Sequence, residues 1–331
     1  MDRNVFITLN SFAIGHQKGN SLLRQLNLTV NRGEMVALIG RNGTGKSTLL
    51  KSMIGLLAPL EGDCLLEGIA LDEYSLPSRA QKLSFVSSHL EYLPALSVGE
   101  LVALGRMPYT GWTGRLSSGD KARISQVLEE LQLTPLRERK LDCLSDGERQ
   151  RAMIARALVQ DTPLMVLDEP TAFLDIPNTY EMIRLLSKIR DDGSSVVYST
   201  HDLETAMQCA DKMWVIREDT ILEGAPEDLG ISGIYEDIFS TSGIGFDERS
   251  GRFLFKGNQR GRICLEGEPG RAYIWTRSML ERLGFILDRG SGMKIRIDPS
   301  SDKPGWSLFN AGQETRHNNL YSLARFLKQV Q

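Results

Sequence analysis

Nine residues, Gly40, Arg41, Asn42, Gly43, Thr44, Gly45, Lys46, Ser47 and Thr48, constrain this chain more than any other stretch, because they spell G-x-x-x-x-G-K-[ST] directly after the apolar run at 35–39. An unbroken apolar run ending in glycine suits a strand buried on both faces, and a helix is expected to start near Lys46. Glycines in such a turn let backbone N–H groups curl around phosphate oxygens, and the helix N-terminus adds positive potential. Lys46 is then placed to bridge the β- and γ-phosphates of a nucleotide, and the Ser47 hydroxyl to hold Mg2+.

A second apolar run, 164–167, ends in Asp168 and Glu169. Two adjacent carboxylates at the end of a buried strand are expensive unless a cation or hydrogen bonds receive them. Asp168 is expected to face Mg2+, directly or through water, and Glu169 to polarise an attacking water. The competing reading is a helix N-cap in the turn after the strand. Residues 195–198 form another such run, and strand, loop and helix repeated this way predict an α/β fold with a mostly parallel sheet. Residues 5–9 and 22–30 read as antiparallel strands. From about 84 to 159 the pattern is mainly helical, with a short helix at 97–104 and Ile124, Val127, Leu128 and Leu131 at helical spacing, which predicts a subdomain inserted into the sheet.

Further landmarks carry a family resemblance. Leu144, Ser145, Asp146, Gly147 and Glu148 stand just ahead of a helical run, with Glu148 20 residues before Asp168, and resemble the signature sequence of ABC ATPases. Asp175 resembles the D-loop aspartate and His201, in Ser-Thr-His-Asp, the switch histidine. The resemblance covers residues 1–238 and implies a P-loop ABC cassette with an antiparallel β subdomain and an inserted helical subdomain. It also implies ATP and Mg2+ as ligands and a partner cassette, expected as a homodimer, in which each signature segment acts in trans on the other copy's phosphate loop. The stretch 97–120 is similar to the ATPases of iron-siderophore, haem and vitamin B12 importers. By that resemblance the chain is the ATP-hydrolysing subunit of a membrane importer. It would lie peripherally on the cytoplasmic face of the cell membrane, bound to polytopic permease subunits and serving a substrate-binding protein indirectly. No nucleic-acid partner is expected. The alternatives are a non-transport ABC ATPase and a regulatory subunit of low turnover.

The chain departs from that pattern at three places. Asp146 and Glu148 replace the glycine and glutamine usual in the signature. They either weaken ATP-driven closure by placing charge near phosphate, or form the Ser145-x-x-Glu148 capping box that acidic residues favour in a first helical turn. Ser88 falls at the position of the Q-loop glutamine, which implies either an altered coupling loop or a lost contact. The ring that stacks on adenine in relatives falls near Ile14, leaving Phe12 or His16 as candidates, although a core Phe and a solvated His are the simpler reading.

The remainder is a different kind of sequence. Residues 240–331 hold 15 Lys and Arg against 9 Asp and Glu, whereas 1–239 hold 24 against 33, so the halves have opposite charge and read as separate domains. A linker is expected at 239–250 and an accessory α+β domain at 251–331. Strands are expected at 253–255, 263–265, 295–297 and 306–309, and helices at 277–283 and 319–330, with Trp275, Met279, Leu280 and Leu283 as core. Arg249, Arg252, Lys256, Arg260 and Arg262, interleaved with Phe253 and Phe255, suit either an anionic partner or a solvated face. The four cysteines, Cys64, Cys143, Cys209 and Cys264, lack zinc-site spacing and read as reduced thiols. No apolar run approaches the roughly 20 residues of a membrane span, and the N-terminus has no signal-like apolar region, so a soluble, unsecreted chain is expected.

Overall fold

The computed structural model describes residues 4–17, 20–88, 96–111, 114–172, 174–239, 244–247, 252–255, 260–298 and 304–329. The chain divides into two compact units, Met1–Ser232 and Gly233–Gln331.

In the first unit, β1 (Val5–Gln17) and β2 (Asn20–Asn31) pair antiparallel, and β3 (Met35–Ile39) is wholly buried and leads into α1 (Lys46–Met53). Next come β4 (Glu61–Leu66), β5 (Ile69–Ala70), α2 (Leu76–Ala80) and β6 (Leu83–Val86). The helices α3 (Val98–Leu104), α4 (Ser118–Glu130) and α5 (Asp146–Leu158) form the inserted block. The chain then returns through β7 (Leu164–Leu167), α6 (Ile176–Asp191), β8 (Ser195–Thr200), α7 (Leu203–Cys209), β9 (Lys212–Arg217), β10 (Thr220–Gly224) and α8 (Pro226–Ile231).

One sheet has the order β2-β1-β4-β5 and is antiparallel; the other has the order β10-β9-β3-β8-β7-β6 and is parallel from β9 to β6. A single core joins them across α1, where Leu49, Leu50 and Met53 meet Phe12 and Ile14 of β1 and Val36, Leu38 and Val197 of the main sheet. Burying each such aliphatic side chain contributes roughly 2 kcal/mol. The strand β6 corrects the expectation that the chain is helical from 84: its Ser84 is buried and accepts a hydrogen bond from the Thr162 hydroxyl at 2.8 Å, and that polar residue interrupts the apolar run. Among the described residues no helix is long and apolar enough to cross a membrane.

The second unit contains α9 (Ile234–Phe239), which the sequence placed largely with the first domain, and the hairpin of β11 (Ile244–Asp247) and β12 (Arg252–Phe255). Then follow β13 (Gly261–Glu266), α10 (Arg271–Arg282), β14 (Phe285–Leu287), β15 (Lys294–Asp298), β16 (Gly305–Asn310), β17 (Gln313–His317) and α11 (Leu320–Gln329). Its sheet runs β14-β13-β15-β16-β17, parallel around β13 and antiparallel beyond β15.

Met279, Leu280 and Leu283 pack inward, but Trp275 does not: it is 66% exposed. The buried stripe of α10 passes through Thr276, Met279, Leu280 and Leu283, and Trp275 lies a quarter-turn away from it. Trp306 of β16 takes the core position instead, its indole N–H donating to the Thr276 hydroxyl at 2.7 Å. Of the basic stretch, Arg262 pairs with Asp288 at 3.0 Å and Arg260 is exposed, while Arg249 and Lys256 and the side chains of Arg252, Phe253 and Phe255 lie outside the described residues.

Candidate functional site

The parallel order β3-β8-β7-β6 puts the carboxyl ends of four adjacent strands at one edge, and the chemistry-bearing residues follow those ends: Gly40 to Lys46 after β3, His201 after β8, Asp168 and Glu169 after β7, and Ser88 after β6. Open α/β sheets bind ligands at this edge.

The phosphate loop is shaped by close approach. A Cβ on Gly40 would stand 2.8 Å from the Thr44 hydroxyl oxygen and 3.0 Å from Ile216, so a side chain here would push those neighbours aside. Gly43 (φ 81°) and Gly45 (φ 99°) turn the loop through left-handed conformations open to glycine. The Thr44 hydroxyl ties the turn by donating to the Arg41 carbonyl at 2.8 Å. Lys46 is 5% exposed; its ammonium donates to the Gly40 carbonyl at 2.9 Å and the Arg41 carbonyl at 3.3 Å, and lies 3.5 Å from Glu169 Oε1. The cation is thus held inside the loop instead of reaching into solvent. Gly45 caps α1 without a side-chain acceptor, which leaves the first-turn N–H groups and the dipole end to an anion. Arg41, Asn42 and Gly43 are exposed, and Ser47 and Thr48 lie at the helix start, half-buried.

Asp168 is 1% exposed, and both its oxygens accept hydroxyls: Oδ2 from Ser88 at 2.9 Å and Oδ1 from Ser199 at 2.7 Å. Ser199 also accepts the Glu169 N–H at 2.9 Å. Glu169 has φ 49°, a left-handed conformation that costs a non-glycine residue about 1–2 kcal/mol and is kept only where surrounding bonds enforce it. One hydroxyl (Ser47) and one carboxylate (Asp168) are the kind of partial donor set that Mg2+ takes when phosphates and water complete its octahedron, so these residues fit a Mg-nucleotide.

The signature segment lies at the start of α5. Ser145 caps α5 and forms a capping box: its hydroxyl accepts the Glu148 N–H at 3.3 Å, and Glu148 Oε2 accepts the Ser145 N–H at 2.9 Å. The backbone hydrogen bond from Ser145 is the main cause that holds the Glu148 carboxyl below the usual glutamate range, with Arg139 and Arg151 adding to it. Asp146 is exposed and lies 3.7 Å from Arg149, and Gly147 lies beside Leu174. Asp175 is exposed and caps α6 through the Asn178 N–H at 3.0 Å. His201 is exposed at the bend after β8.

Phe12 and Ile14 are fully buried in the core, so neither offers a face to a base; the side chain of His16 lies outside the described residues. Sequence reasoning missed Ser199, which stands with Thr200 at the polar end of β8 and carries no spacing signal of its own.

Residues 23–172 match the family model of the ABC transporter, and residues 260–328 match that of the iron ABC transporter C-terminal domain. The chain is 35% identical over 236 residues to the achromobactin transport ATP-binding protein CbrD of Dickeya dadantii, covering 71% of this chain and 87% of that protein. It is 33% identical over 256 residues to the petrobactin import ATP-binding protein FpuC of Bacillus anthracis (77% and 90% covered). Among solved structures it is similar to CbiO1 from Clostridium perfringens, part of the ABC transporter complex cbiONQ, at 26% identity and TM-score 0.62 over 70% of this chain and 92% of that one. The dimeric bacterial ABC transporter cassette MJ0796 is similar at 28% identity and TM-score 0.60, over 66% and 98%.

Proposed function

This chain belongs to the ABC transporter ATPases, and from that premise we propose that it drives an importer of iron-siderophores or related chelates by ATP-dependent closure of two cassettes. The observation that carries the hydrolytic part is the convergence of Lys46, Asp168 and Glu169 at one strand edge. The cargo class is supported by the names of the achromobactin and petrobactin relatives and by the match of residues 260–328.

In this reading the loop N–H groups and Lys46 bind the β- and γ-phosphates, and Glu169 accepts a proton from the attacking water. Mg2+, held by Ser47 and Asp168, would neutralise charge developing between the phosphates. His201 contacts the γ-phosphate from the end of β8. The Asp146 and Gly147 N–H groups of a second copy complete the enclosure together with its Ser145 hydroxyl, which accepts the Glu148 N–H and keeps its own proton to donate. Neither copy then has a complete site, and hydrolysis reopens the pair.

A permease subunit would find exposed apolar surface on this unit. Leu76 on α2 is 75% exposed and Met107 is 55% exposed, and the two segments are joined by the hydrogen bond from Gln81 to the Pro108 carbonyl at 2.9 Å. The chain would then lie peripherally on the cytoplasmic face of the membrane.

Co-purification of the full chain with a polytopic membrane protein, followed by a turnover assay on the complex and an uptake assay with ferric siderophore, tests the proposal. ATPase activity that rises with cooperative dependence on cassette pairing is expected. A monomer that splits ATP at full speed would overturn the two-cassette scheme, and a complex that binds ATP without turnover would make the chain a regulatory subunit.

A further inference from the structure

We propose that Ser199 is a positioning residue of the hydrolytic site, fixing one oxygen of Asp168 and the backbone of Glu169 so that the other Asp168 oxygen meets the metal. The inference rests on the reading of Asp168 as the metal carboxylate and Glu169 as the base.

Ser199 is fully buried in β8, beside β7. A hydroxyl has one proton, and its two partners here leave no choice of direction. The Glu169 N–H is only a donor, so Ser199 accepts from it at 2.9 Å; its own O–H therefore points to Asp168 Oδ1 at 2.7 Å. The chain N–H to O–H to carboxylate polarises in one sense, each bond strengthening the next. The same hydroxyl anchors the left-handed turn at Glu169, whose φ of 49° needs such a restraint.

Ser88 is held differently. It is only half-buried and donates to Oδ2 at 2.9 Å, so its hydroxyl can turn away toward solvent. Oδ1 is therefore the pinned oxygen and Oδ2 the one that exchanges its partner. A serine from β8 and a serine after β6 thus divide one carboxylate between positioning and exchange.

The test uses the full chain and a fluorescent ATP analogue, titrated with Mg2+ and also bound in chelator. Ser199→Ala is expected to raise the Mg2+ concentration for half-maximal nucleotide binding by about tenfold or more, the usual effect of losing a partner of a metal-binding carboxylate. Binding in chelator should stay within about twofold, since the phosphate loop is untouched. Ser199→Thr, which keeps the hydroxyl, should recover most of the loss. Ser88→Ala should leave the Mg2+ requirement level or lower it, because it removes a competitor for Oδ2. Should Ser199→Ala fail to fold, Ser199→Cys keeps the volume with a weak donor and acceptor and carries the same expectation.

A Mg2+ requirement within twofold of the parent in the Ser199 variants, while Asp168→Asn raises it, overturns the role of Ser199 alone. Loss of nucleotide binding in chelator equal to the loss in Mg2+ makes Ser199 merely structural. An Asp168→Asn variant with an unchanged Mg2+ requirement overturns the reading of the metal carboxylate, and this inference with it.

Discussion

The strand edge and the inserted helical block both place acidic residues at the starts of turns, yet the two regions use them in opposite ways. In the helical block each of α3, α4 and α5 opens with a serine cap answered by an acid three residues on: Ser97 with Glu100, Ser117 with Asp120, and Ser145 with Glu148. Each carboxylate turns back on its own helix, and each is held below its usual range chiefly by hydrogen bonds from that serine. At the strand edge Asp168 is satisfied by Ser88 and Ser199, 80 and 31 residues distant, and Glu169 lies beside Lys46. A carboxylate satisfied locally is a cap; one satisfied by remote, partly exchangeable partners is available to a ligand.

The largest effect expected from breaking this contrast comes from Glu169→Gln. Removing the general base should lower turnover by about a hundredfold or more while ATP binding persists, so that an ATP-bound dimer accumulates on size-exclusion chromatography. Unchanged turnover would take Glu169 out of its role.

Next in size is Asp120, the most strongly bound of the helical block's acids. Its carboxyl is lowered to about 2 by hydrogen bonds from the Ser117 hydroxyl and backbone and by Arg106 at 2.7 Å. Because the folded value lies below the unfolded one, its contribution is complete above about pH 4 and disappears as pH falls toward 2. Asp120→Asn should therefore melt below the parent at pH 7, and the difference should close on acidification. A gap that persists unchanged at pH 2 would show that packing, not charge, holds Asp120.

The Ser145 cap was legible in the sequence because serine and acid stand three residues apart, within one helical turn. The phosphate loop and the Asp168–Glu169 pair were legible for the same reason, as short contiguous signals after apolar runs. Four things were not. Ser84 breaks the apolar pattern of β6 because its partner, Thr162, comes from 78 residues away. The β9–β10 hairpin carries no glycine turn signal between Arg217 and Thr220, and its turn passes through Glu218 at φ 55°. Hydrophobicity alone places Trp275 in the core, although Trp306 of β16 fills that space. Ser199 gains its meaning only when β7 and β8 lie side by side. Local pairings are written in spacing, whereas pairings between strands require the sheet.

Removing a cap sharpens the comparison more gently. Ser145→Ala takes an acceptor from the first turn of α5 and a partner from Glu148, and should lower stability by about 1 kcal/mol in chemical denaturation. The ATP affinity of the isolated protomer should not move with it, since Ser145 belongs to the other region.

The smallest effect is expected at Asp146, where the sequence left two readings open. Its side chain is 62% exposed and lies 3.7 Å from Arg149, so water, salt and that guanidinium all screen its charge. Asp146→Gly restores the residue usual at this position in relatives and removes any repulsion toward a partner's phosphate. With the charge already screened, the ATP concentration that drives half the protein into dimer should fall by no more than about threefold, and the residual gain should shrink in high salt. A tenfold gain would mean that Asp146 faces the phosphate in the closed pair, and that this helix start, despite its caps, behaves like the strand edge.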